Sequence, residues 1–168
     1  MLWGILQKNN LSFRKEKCMG ISSSLIVFFI IVFIAATTGG YFSPGPWYET
    51  LNKPSWTPPN WLFPIAWTVL YTMIAIAGWK VWQNGGLSVA LVIWFLGLLF
   101  NMAWSWIMFG RQDIGWAFVD LIFLWSSIVI FMALAWPISS SAVYLFIPYL
   151  FWVSFAGLLN FVVWRLNS

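Results

Sequence analysis

The chain has 168 residues, of which 62% are hydrophobic and 7% charged, with a mean hydropathy of +0.86. A water-soluble fold of this size cannot bury so much apolar surface, so the composition excludes a soluble domain and points to an all-α, integral, multi-pass membrane protein. A single cysteine, Cys18, excludes an internal disulfide framework, and the absence of histidine removes the commonest metal ligand and general base. Hydrolytic triads and zinc chemistry are therefore not expected, and no metal site is assigned.

In chain order, residues 1–20 form a basic tail in which Lys8, Arg14, Lys15 and Lys17 outnumber Glu16, and which supplies most of the formal charge of +4. It reads as a solvated, orientation-setting tail able to touch anionic lipid headgroups. Its few charges, with no aromatic interleaving beyond Phe13, argue against nucleic acid as a partner. Residues 21–168 form one membrane domain with five spans, at about 21–42, 61–82, 87–109, 115–135 and 142–165, each near the ~20 residues that cross a bilayer as helix. The first, "SSSLIVFFIIVFIAA", also fits a signal peptide cleaved near Ala36, but its continuation through Thr37 and Thr38 to Tyr41 and Phe42 favours a retained helix.

A long first loop, 43–60, follows: "SPGPWYETLNKPSWTPPN". Pro54, Pro58 and Pro59, crowded against Trp56 and Trp61, make it stiff and aromatic. It reads either as an interfacial anchor, with its tryptophans at headgroup level, or as a lid. Thr57 before Pro58, or Asn60 before Trp61, is placed to cap the incoming helix. The later breaks, "QNGG", "GRQDIG" and "WPISSS", are short turns that imply antiparallel neighbours in a bundle. The positive-inside rule puts the N-terminus in the cytoplasm if the tail is counted, and the reverse for a start at Met19.

Four polar residues interrupt the spans: Asn101, Ser105, Asp120 and Asn160. Burial in lipid makes each costly unless it is paired or lines a cavity. Asp120 can act as helix glue, as a link to Arg111 or as a functional carboxylate, and the two asparagines as interhelical hydrogen-bonding groups. Pro148 removes a helix hydrogen bond within the fifth span, and a kink there opens space between helices; Pro64 lies near the start of the second. Gly78, Gly97, Ala156 and Gly157 permit close helix approach. Trp47, Trp56, Trp61, Trp136 and Trp164 fit interfacial belts, whereas Trp67, Trp104 and Trp152 lie inside spans. Helical periodicity sets Trp67 with Tyr71, Trp104 with Asn101, and Trp152 with Ala156, Leu159 and Asn160. Together these make either a packed aromatic core or a pocket for a large, flat, mostly apolar ligand.

Three ordered blocks, "WYETLNKPSWTPPNWLFPIAWTVLY" (47–71), "NMAWSWIMFGRQDIGWAFVDL" (101–121) and "PYLFWVSFAGLLNFVVWR" (148–165), resemble the translocator protein family, also called TspO/MBR or the peripheral-type benzodiazepine receptor. The likeness runs from about residue 36 onward. It implies a five-helix bundle, commonly a homodimer, with a ligand pocket beneath the first loop. Pro54, Trp56, Pro58, Pro59 and Trp61 then belong to a lid. Trp67 in "PIAW" and Trp152 in "PYLFW" match the pocket tryptophans associated with porphyrin chemistry and ligand stacking. Asn101 and Trp104 match "NxxW", Trp116 and Asp120 match "GWAxVD", and Ala156 and Leu159 match "FAxxLN"; with Tyr71 these complete the expected ligand-binding set. Phe161 stands where animal relatives carry the tyrosine of a proposed cholesterol motif, so sterol recognition is incomplete.

The function so implied is binding of a tetrapyrrole, protoporphyrin IX or haem, stacked between indoles in stress or tetrapyrrole regulation. Porphyrin or haem enters as ligand, no cofactor is required, and the lack of histidine argues against ordinary axial haem ligation. Two alternatives compete. One is light- and oxygen-dependent porphyrin breakdown, for which alone Trp67 and Trp152 are catalytic; the other is a sterol- or lipid-binding, or structural, membrane protein.

Overall fold

In hydrocarbon the backbone has no water to bond, so a long uncharged run must close its hydrogen bonds internally as a helix. The computed structural model describes residues 23–168. Among them are five helices long and apolar enough to cross a membrane. These are α1 (Ser23–Tyr41), α3 (Leu62–Gly85), α4 (Val89–Ser105) continued by a π turn (Trp106–Gly110), α5 (Ile114–Ala135) and α6 (Ser140–Leu166). A short α2 (Pro46–Thr50), which sequence patterning had not suggested, folds within the first loop. The basic tail at 1–20, with Cys18, lies outside the described residues. The protein is an integral, multi-pass membrane protein.

The helix ends follow local chemistry. Gly86, at φ 59°, ends α3 and returns its N–H to Trp82 O at 2.9 Å, so Gln83 to Gly85 extend the helix beyond the expected 82. Asp113 caps α5, accepting the Trp116 N–H at 3.0 Å. The expected cap of α3 does not form. Thr57 instead turns back on Pro54, donating both its hydroxyl (2.7 Å) and its N–H (3.0 Å) to that carbonyl. Trp61, already helical in its dihedrals, starts α3 without a side-chain cap. Pro64 falls in the first turn of α3, where a missing N–H costs no helix bond. The last span runs through Pro148 as one helix.

Packing centres on α5, which lies against α4 and α6, while α3 packs on α6. Phe131, Ile128, Leu124, Val81 and Val153 are among the fully buried side chains. Of the four small residues expected at close contacts, two serve there. A methyl on Gly78 would lie 2.5 Å from Trp94 Cε2, so the glycine admits an indole that also donates to Ile74 O at 3.0 Å. At Gly97 a methyl would meet Ser127 Oγ at 3.0 Å. At Gly157 nothing lies within 4 Å, and Ala156 faces a cavity instead. The first apolar run packs as a helix of this bundle. Phe28, Val32 and Ala35 enter the core, and Ser24 Oγ accepts from Trp79 Nε1 (3.1 Å) and Gln83 Nε2 (2.9 Å) of α3.

Candidate ligand cavity

A cavity of about 500 Å³ lies between the helices at the end of the bundle that carries the first loop, within the range of small-molecule sites. Tyr71, Asn101 and Leu124 line its deeper part, about 14 Å into α3, α4 and α5 at 1.5 Å per residue. Of the residues expected to bind ligand, Trp67, Tyr71, Asn101, Trp104, Trp152, Ala156 and Leu159 line it. Trp116 does not: it is 64% exposed on the outside of α5. Asp120 is buried but also off the cavity, and its Oδ2 has no hydrogen-bond partner. The considered link from Asp120 to Arg111 is not made; the Arg111 guanidinium sits over the Trp106 ring at 5.5 Å.

The amides are engaged with the helices around them. Asn101 Oδ1 accepts from the Tyr71 hydroxyl at 2.7 Å, and its Nδ2 donates to the Tyr149 hydroxyl at 3.1 Å, joining α3, α4 and α6. Asn160 Oδ1 accepts from Trp104 Nε1 at 3.1 Å, and its Nδ2 donates to Ile114 O at 2.9 Å, joining α6, α4 and α5. The indoles do not form parallel plates. Trp67 and Trp152 meet edge to face, with centroids 6.4 Å apart and planes at 85°. A flat ligand between two indoles needs them parallel at about 7–8 Å, two van der Waals contacts deep. In this geometry one indole offers a face and the other an edge. Tyr71 is stacked on Trp67 at 5.2 Å.

The loop covers the cavity through other residues than the expected lid. Phe42, Ser43, Pro44, Tyr48 and Asn60 line it, whereas Pro54, Trp56, Pro58, Pro59 and Trp61 do not. Trp56 packs edge-on to Phe155 at 5.8 Å, one ring away from Trp152, and Trp61 is exposed. Tyr48 of α2 is buried edge-on against Phe109 at 5.6 Å, with Lys53 Nζ 4.4 Å from its ring centroid; burial pushes its phenol pKa up. Farther along, Asn52 and Asn167 exchange two hydrogen bonds, at 2.9 and 3.0 Å, and fasten the loop to the end of α6.

Sequence reasoning also missed the α1 wall, Ala36, Gly39 and Gly40, although the paired glycines in an apolar span were a usable signal. Lining residues that are themselves exposed, Gly40, Ser43, Pro44, Asn60, Pro64 and Thr68, all lie where the end of α1 faces the start of α3. That seam is the mouth. The lining contains no charged side chain, and among the described residues no group of three His, Cys, Asp or Glu could hold a metal ion. The arrangement can desolvate a large apolar molecule and hydrogen-bond a few polar atoms, while ionised groups remain at the mouth.

Comparison with known proteins supports the same grouping. The model of the TspO/MBR family matches residues 19–165. Protein CrtK of Rhodobacter capsulatus is 40% identical over 145 residues, 84% of this chain and 91% of its own length. Tryptophan-rich protein TspO of Chlorobaculum tepidum is 42% identical over 136 residues, 77% and 86% of the two chains. The translocator protein of Homo sapiens is 39% identical over 127 residues, 72% and 75%.

Proposed function

Since the chain belongs to the TspO/MBR family, we propose that it is a membrane receptor for a tetrapyrrole, protoporphyrin IX or haem, taken up in the cavity beneath the first loop. The observation that carries this reading is the uncharged, aromatic cavity of about 500 Å³ with Trp67 and Trp152 in its wall. A planar macrocycle stacks on one indole and meets the edge of the other, with burial of its apolar faces supplying most of the affinity. The proposal includes a role in tetrapyrrole or stress regulation and a homodimeric assembly, the latter to be read by cross-linking in vesicles.

The test is a titration of the purified protein with protoporphyrin IX, followed by tryptophan fluorescence, on wild type and on Trp67→Phe with Trp152→Phe. Saturable binding that weakens in the double variant supports the reading. Equal, non-saturating quenching in both overturns it in favour of simple partitioning and moves a sterol, lipid or structural role forward. A second reading, light- and oxygen-dependent breakdown of the bound porphyrin, is favoured by the contiguous oxidisable cluster of Tyr71, Trp67 and Trp152. The ligand would supply the photochemistry and the protein would orient it. New absorbing products on illumination in air, lost in the double variant, distinguish it from binding alone.

A further inference from the structure

Several hydroxyls in the spans are satisfied by their own helices. Thr38, Thr68, Ser127 and Ser154 each donate to a carbonyl three or four residues back, at 2.7–2.8 Å. Ser105 is different. It is 6% exposed, it lines the cavity, and among the described residues its hydroxyl has no hydrogen-bond partner. Ser105 stands where α4 passes into the π turn, Trp106–Gly110. Single π turns of this kind recur at functional sites. Opposite stands Gly39 of α1, where an added methyl would come into van der Waals contact with Ser105 Oγ at 3.7 Å, so it is the missing side chain of this glycine that leaves space beside the hydroxyl.

We propose that Ser105 is a specificity-determining polar contact of the cavity, donating its O–H to the carbonyl oxygen of a propionic side chain in its neutral form, acid or ester. This rests on the tetrapyrrole reading above and narrows it. The Ser105 oxygen is open to the cavity rather than sealed like Ser88 Oγ and Asp120 Oδ2. The cost of an unpaired hydroxyl therefore falls on a ligand that fills the space without bonding it, and a ligand that accepts its O–H is favoured. The acceptor is neutral because the lining offers no counter-charge. Asn101 lies one helical turn away on the same face of α4, but its amide is engaged with Tyr71 and Tyr149. Tyr48, Ser43 and Asn60 also line the cavity, from the first-loop side, so Ser105 is the uncommitted donor on the α4 wall.

Two neutral porphyrins test it in detergent-solubilised full-length protein: protoporphyrin IX dimethyl ester, which carries ester carbonyls, and etioporphyrin, which carries only alkyl groups. Wild type is expected to prefer the ester. Ser105→Ala should weaken ester binding roughly five- to tenfold, the worth of about one net hydrogen bond, and leave etioporphyrin binding unchanged. The ligand-free melting temperature should hold or rise slightly, since no internal hydrogen bond is lost. Ester binding unchanged by the substitution overturns the role of Ser105 and leaves the tetrapyrrole reading intact. A drop of several degrees in the ligand-free variant shows the hydroxyl bonded within the fold, and also overturns it. Failure of wild type to bind either ester or free acid saturably removes the tetrapyrrole reading and this inference together.

Discussion

Asn101 shows how one residue can serve both structure and site. Its amide joins Tyr71 of α3 to Tyr149 of α6 while lining the cavity, so helix glue and pocket contact are roles of the same group. Asn101→Ala leaves two phenolic hydroxyls without their partner and is expected to cost about 1–3 kcal/mol, read as a lowered unfolding midpoint in detergent. Glycines separate as sharply. Gly78→Ala drives a methyl to 2.5 Å from a buried indole and should cost about 1–3 kcal/mol by overpacking. Gly157→Ala, with nothing within 4 Å, should stay within roughly 0.5 kcal/mol of wild type. Sequence marked both glycines alike, because spacing puts a residue on a face but does not say how near the next helix comes.

At the scale of elements, the spans were legible to within three residues because the apolar runs are long and their ends carry turn residues. Start signals in the first loop were not. Thr57 has the chemistry of a cap, but the turn over Pro54 engages it, and α2 depends on packing of Tyr48 against Phe109. The Asn52–Asn167 pair holds this loop over the cavity from a residue 115 positions away. Asn167→Ala should speed both association and release of protoporphyrin IX while leaving Kd nearly unchanged, as stopped-flow fluorescence would show. At the mouth, Gly40 has open space around it. Gly40→Leu should slow association about tenfold, a barrier of about 1.4 kcal/mol, without lowering the melting temperature.

For the whole molecule, cohesion is apolar and hydrogen-bonded rather than ionic. Among the described residues the cations Lys53 and Arg111 rest on aromatic rings, Asp113 caps a helix, and no ion pair joins two helices. Raising sodium chloride from 0.05 M to 1 M screens charges but not packing. The melting temperature should therefore move by no more than about 2–4 °C, the effect of roughly 1 kcal/mol on a domain of this size. A larger fall would reveal a charge interaction that bears on stability.

The sequence by itself determined that this is a five-span helical bundle of the TspO/MBR family, since length, apolar periodicity and ordered motifs are local properties of the chain. It also marked Trp67, Asn101, Trp104 and Trp152 as interior residues that share helix faces. Only the tertiary structure decided that these faces enclose a cavity rather than a solid core, and that Trp116 and Asp120 stand off it. The same is true of the edge-to-face tryptophans and the unpaired hydroxyl of Ser105. Each depends on the angle and distance between helices far apart in the chain, which spacing along a single helix does not encode.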